Sequence, residues 1–185
     1  MAEQQNRQNQ SYKPGGQDRQ VEEKQFSENV VSIDRVSRVV KGGRRFRFRA
    51  LIVLGDGKGK VGVGVSKGQD VQSAVQKAAD VAKKNMITVA LYNETIPHES
   101  DAKVGGAHIL IKPAATGTGL KAGGVVRVIL ESAGVRNILS KSLGSSNKIN
   151  SAYATIEALN KLVGAGDWTT AHLKSSKKAT AKEAK

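Results

Sequence analysis

The stretch RVSRVVKGGRRFRFRALIVLGDGKGKVGVGV, residues 35–65, decides the fold. Lys41-Gly42-Gly43-Arg44 has hairpin turn chemistry, because Gly-Gly tolerates positive φ at no steric cost. Before the turn, Val30 to Val40 is β-branched and interrupted by charge, which predicts a strand. After it, Arg45-Phe46-Arg47-Phe48-Arg49 alternates with period two, setting three guanidinium groups on one face and two phenyl rings on the other. Ala50 to Leu54 continues as a buried strand. Asp56-Gly57-Lys58-Gly59 forms a second turn, and Val61, Val63 and Val65 then alternate with Gly62 and Gly64. Glycine weakens a strand, so two on one face imply that another element approaches that backbone closely.

Downstream, Asp70 is placed to cap a helix whose apolar face is Val71, Ala74, Val75, Ala78 and Ala82. Ile87 to Tyr92 reads as a short strand, so the first unit is β-β-β-α followed by an extended segment. Turn and polar residues cluster between Asn93 and Gly106, and the boundary is placed there. Ala107 to Lys112 reads as a strand, Pro113 to Gly124 as a Gly-rich loop, and Val125 to Ala133 as a helix ended by Gly134. Val135 to Leu143 is a further strand. Ser145 and Ser146 can cap a last helix with the stripe Ile149, Ala152, Tyr153, Ile156 and Leu159. The second unit is thus β-α-β-α, and the fold class α+β. The expected divisions are a disordered polar tail at 1–27, domains at 28–93 and 94–164, and a basic tail at 165–185.

Composition narrows the function. Across 185 residues there are 30 Lys+Arg against 16 Asp+Glu, a net charge of +14, and no cysteine. The last point excludes a disulfide framework, zinc knuckles, iron–sulfur ligation and thiol catalysis. The longest apolar runs, such as Ala50 to Leu54 and Gly124 to Leu130, fall far short of the ~18 residues a bilayer needs, and the polar, Gln-rich start does not resemble a secretory leader. A soluble, cytoplasmic protein with a polyanion partner and no membrane partner is expected. The charge is concentrated within 27–164 rather than in the ends, although Lys174, Lys177, Lys178, Lys182 and Lys185 crowd the last stretch. That basic end reads equally as a solvated tail or as a phosphate-contacting arm.

Within Arg35 to Arg49 stand seven cations in fifteen residues with no acid among them. Mere solubility is served by mixed-sign surfaces. A run of one sign is costly to hold together unless a polyanion screens it, and each neutralised phosphate also releases counterions. RNA binding is the better reading. Gly57-Lys-Gly-Lys-Val-Gly62 matches G-x-G-x-x-G, but a dinucleotide site needs a helix after the glycines, and the residues beyond Gly62 alternate as a strand. No H-R-D or D-F-G segment supports a kinase-type loop. The turn is better read as letting Lys58 and Lys60 approach a phosphate backbone. Gly117-Thr-Gly-Leu-Lys-Ala122 lies between a strand and a helix; it reads either as bare loop geometry or as an anion or protein contact. His98, His108 and His172 have unrelated spacings, no pair of acids stands out as a general acid/base couple, and no Ser sits in a G-x-S-x-G elbow. No enzyme, metal, cofactor or small-molecule substrate is expected.

The run Gly43-Arg44-x-x-x-Phe48-x-Ala50-x-x-Val53-Leu54-Gly55-Asp56-x-x-Gly59-x-Val61-Gly62-x-Gly64 resembles the signature of the fifth ribosomal protein of the bacterial small subunit. The likeness continues through the helix at Asp70, Asn85-Met86-Ile87, Gly117-Thr-Gly, Ala122-Gly-Gly, Ala133-Gly-Val and Ser146-Asn147-Lys148-Ile149-Asn150, covering roughly residues 28–162. The resemblance implies a double-stranded-RNA-binding-like first domain lacking its first helix. It implies a second domain with a left-handed crossover, against the usual handedness. It also implies binding to small-subunit rRNA, contact with the fourth small-subunit ribosomal protein, proximity to mRNA at its entrance, and a part in decoding fidelity. On this likeness Val36, Ser37, Arg38, Lys41, Gly42, Gly43 and Arg44 match the family loop near the spectinomycin site. Gly119 and Arg127 match positions tied to the interface with the neighbouring protein. Lys148 stands where the family often has proline, and Arg45, Arg47 and Arg49 are more basic than is typical.

The expected RNA-binding residues are therefore Arg35, Arg38, Lys41, Gly42, Gly43, Arg44, Arg45, Arg47, Arg49, Lys58, Lys60 and Lys67. Gly119, Lys121 and Arg127 are the expected protein-partner residues. The competing expectation is a free-standing RNA-binding or RNA-chaperone protein outside the ribosome.

Overall fold

The structure, a computed structural model, describes residues 26–164. Apart from Phe26 and Ser27, the expected polar tail lies outside the described residues, as do the basic tail and His172. Strands β1 (Ser27–Val40), β2 (Gly43–Gly55), β3 (Lys60–Gly68) and β4 (Met86–Thr88) form one antiparallel sheet in that order. The hairpin closes through Lys41 and Gly42, with Val40 opposite Gly43 and Gly42 at φ 87°. Helix α1 (Val71–Lys84) starts at the N-cap Asp70, whose backbone N–H donates to Ser73 Oγ while that hydroxyl donates back to the Asp70 carbonyl. Ala74, Ala78, Ala79 and Ala82 bury against Ala50, Ile52 and Leu54. The valine–glycine alternation of β3 is explained by this packing. A Cβ on Gly62 or Gly64 would collide with the carbonyl oxygen of Ala82 or Ala78, so the helix can sit on the sheet only over bare backbone.

The other face of the same sheet is covered by the second unit. It consists of β5 (Ser100–Val104), β6 (Ala107–Pro113), β7 (Leu120–Lys121), α2 (Gly124–Ala133), β8 (Ile138–Ser142) and α3 (Lys148–Asn160). Its sheet has the order β5-β6-β8-β7, with β7 and β8 parallel across α2. The expected β-α-β-α order appears as β6-α2-β8-α3, but β6 and β8 are antiparallel, so the parallel connection through α2 starts from β7. Leu51, Val53, Val61 and Val63 from the first sheet share one core with Ile129, Leu130, Ala133, Ala158 and Leu159. Each large aliphatic side chain fully buried there contributes about 1.5–3 kcal/mol.

Several boundaries differ from expectation. The polar cluster at 93–106 contains a strand: β5 pairs with β6, although only Ser100 and Ala102 of its five residues are buried. The strand expected over Ile87 to Tyr92 stops at Thr88. The one expected from Val135 begins at Ile138, because the Arg136 and Asn137 N–H groups donate to the Glu94 carbonyl instead of a ladder. The Gly-rich loop contains the short β7. Asn147, rather than Ser145 or Ser146, caps α3: its side-chain oxygen accepts from Ile149 N at 3.1 Å. Tyr153 turns outward, and the buried side of α3 is lined by Ser151, Ala152, Ala154, Thr155, Ala158 and Leu159.

Candidate nucleic-acid interface

Strand pairing sorts the basic hairpin into two faces. A β-bulge between Val30 and Ser32 shifts the register of β1 by one residue, so Asp34 lies opposite Arg49, Val36 opposite Arg47 and Arg38 opposite Arg45. Opposite residues share a face, so Arg38, Arg45, Arg47 and Arg49 project on one side, joined by Lys67, which pairs with Arg49 from β3. The expectation of three guanidinium groups along one face holds. This face continues the plane of Leu51 and Val53 beyond the cover of the second unit. Val36, Ser37, Arg38, Val40, Arg45, Arg47 and Lys67 line a groove of about 320 Å³. Arg35, Phe46, Phe48, Val39 and Arg44 occupy the reverse face, with Lys41, Gly42 and Gly43 at the tip.

Not every cation is available to a ligand. Arg49 Nη2 donates to Asp34 Oδ2 at 2.9 Å, so the acid one residue outside the basic run folds back to neutralise its inner end. Among the described residues, Arg38, Lys41, Arg44, Arg45, Arg47 and Lys67 make no ion pair. Lys77 of α1 joins this end of the sheet, lining with Arg47 and Lys67 a second depression of about 370 Å³ that also includes Asp70. The sequence carries no sign of that juxtaposition, because it arises only when α1 packs on β2 and β3.

Lys58 and Lys60 are exposed but belong elsewhere. Strand β2 has 13 residues, and at ~3.3 Å per residue its two ends are about 40 Å apart. The turn carrying Lys58 begins at the end remote from Arg44, so these lysines do not extend the groove. That turn also has a structural task beside the phosphate approach expected of its lysines. Gly57 N donates to the Ser132 carbonyl at 3.0 Å and Gly59 N to the Ala133 carbonyl at 2.9 Å, docking the turn on the end of α2. Gly134 ends α2 at φ 84°, and a Cβ there would collide with the Gly57 carbonyl. Asp56 holds the turn shut by accepting from Lys58 N at 2.7 Å and Lys60 N at 2.9 Å. Burial pushes the Asp56 carboxyl up, but those backbone N–H bonds and the Lys60 charge outweigh it and hold the group below its ordinary value. The turn leads into β3 rather than into a helix, which agrees with the rejection of a dinucleotide site.

Gly119, Lys121 and Arg127, expected to meet a protein partner, lie close together in the second unit. Arg127 Nη2 donates to the Leu120 carbonyl at 3.3 Å, beside Lys121, and Ile138 N donates to the Gly119 carbonyl. The organiser is Asn137, which sequence reasoning missed. Its buried side-chain oxygen accepts from both Gly117 N and Gly119 N at 3.1 Å, fixing a loop in which Gly119 has φ 74°. A lone Asn before a strand carries no motif, so only the folded loop reveals it. His98 accepts from Val163 N through Nε2 and donates through Nδ1 to the Glu99 carbonyl; His108 meets Asp101 at 2.9 Å. Both are structural hydrogen-bonding groups.

Two family models match the chain. Residues 26–90 match the one described as ribosomal protein S5, N-terminal domain, and residues 102–170 the one described as ribosomal protein S5, C-terminal domain.

Proposed function

From the chain's membership of the ribosomal protein S5 family, which the two matches establish across most of its length, we propose that its hairpin is the main rRNA contact. The protein is a structural, non-enzymatic constituent of the small ribosomal subunit, and rRNA is its partner class. The observation that carries the reading is the groove in which Arg38, Arg45, Arg47 and Lys67 converge without an acid partner among the described residues. Phosphates entering it would replace the missing anions and release counterions, while the strand frame fixes the spacing of the cations. A duplex or folded RNA read this way is recognised by shape and phosphate position.

The chain would divide near residue 93 into this RNA-binding unit and a partner-facing unit. On the same reading the loop holding Gly119, Lys121 and Arg127 meets the fourth small-subunit ribosomal protein, and the molecule supports accuracy and mRNA entrance from that junction. Asn137 supports the loop from within the chain, through the Gly117 and Gly119 N–H groups.

The test is a salt series of binding to small-subunit rRNA, comparing the unaltered chain with the Arg38→Ala/Arg45→Ala/Arg47→Ala variant. Affinity should fall, and the slope of log K against log salt should flatten by about one unit per lost contact. An unchanged slope would place the RNA contact outside the groove.

A further inference from the structure

Resting on the hairpin as an RNA contact, we propose that its reverse face, formed by Arg35, Phe46 and Val39, holds an unpaired RNA base by stacking. Phe46 is 51% exposed and Val39 75% exposed, the most exposed of the large apolar side chains described on this strand pair. Helix α1 covers this face over Ala50, Ile52 and Leu54 and touches Phe48, but leaves the outer hairpin bare. The Arg35 guanidinium carbon lies 4.2 Å from the centroid of the Phe46 ring. The cation already sits over the ring, which leaves the ligand less ordering to impose.

The chemistry around the stack selects the occupant. Arg44 stands on the same face opposite Val39, and Lys41 is at the adjoining tip, neither with an ion-pair partner among the described residues. A protein's apolar anchor would cover Phe46 and Val39 while leaving these cations desolvated and unmatched. A nucleotide brings both parts at once, a π-face for the stack and a phosphate for Arg44. Splayed bases of single-stranded loops are held in this manner by aromatic rings and guanidinium planes. The hairpin would then grip RNA from two sides, phosphates in the groove and one base on the reverse.

The experiment uses the full chain with a mixed-sequence single-stranded RNA ten-mer containing 2-aminopurine, and an abasic ten-mer of equal length. The base-bearing RNA should bind about tenfold more tightly and its fluorescence should be quenched. Phe46→Leu should abolish the preference and the quenching without changing the salt slope, whereas Phe46→Tyr should keep both. Arg45→Ala/Arg47→Ala should flatten the slope and leave the base-to-abasic ratio intact. Failure of that last variant to alter the slope would count against the groove, not against the stack. Equal affinity of the two ten-mers would overturn the proposal and leave the ring to a protein contact. A preference that survives Phe46→Leu would overturn it as well.

Discussion

Asp34 shows how one residue changes the meaning of a charge run. Seven cations between Arg35 and Arg49 look uniform in sequence, but the acid just before them lies opposite Arg49 once the bulge at Val31 has reset the register. The resulting pair is partly exposed, so it contributes only about 0–1 kcal/mol to stability. Its effect on binding should be larger, because it neutralises a cation on the face that carries the groove. Asp34→Asn should therefore steepen the salt dependence of rRNA binding by about one unit while barely moving the thermal midpoint. Along the chain Arg49 is one of three equivalent guanidinium groups. The distinction between it and Arg47 is illegible there because the partner acid is 15 residues away.

At the scale of elements, the packing of α1 on β3 is legible in the sequence together with its cause. Glycine at alternate positions of a strand marks close backbone approach, and Gly62 and Gly64 meet the Ala82 and Ala78 carbonyls. Gly64→Ala should cost about 3 kcal/mol, seen as a lower denaturant midpoint, since the colliding atoms are backbone and cannot swing away. Shorter elements are less readable. Strand β5 has two charged residues in five and owes its existence to β6, and β7 has only two residues. Strand signals depend on periodicity, which such lengths cannot display.

The two units of the molecule are held by a shared core and by the Asp56 turn docked on α2. The Asp56 carboxyl is held below its ordinary value of 3.8, so its ionised form favours the fold. That stabilisation is complete above the ordinary value and fades as the pH falls through the lowered folded-state value. Thermal melts should accordingly lose stability as the pH falls below about 4. Asp56→Asn, which keeps an acceptor oxygen, should reduce that dependence while preserving most of the midpoint at neutral pH.

By itself the sequence determined the α+β class, the basic hairpin, the helix caps at Asp70 and Gly134, and the RNA-binding character. These rest on interactions between residues close along the chain, or on charge, which needs no geometry. Only the tertiary structure decided which cations share one face, that Lys58 and Lys60 stand about 40 Å from the hairpin tip, and that Asn137 shapes the loop of Gly117 and Gly119. It also decided that the Gly57 turn is a joint between units. Strand register and inter-unit packing set these outcomes, and both are made by contacts between segments far apart in the chain, which local periodicity does not encode.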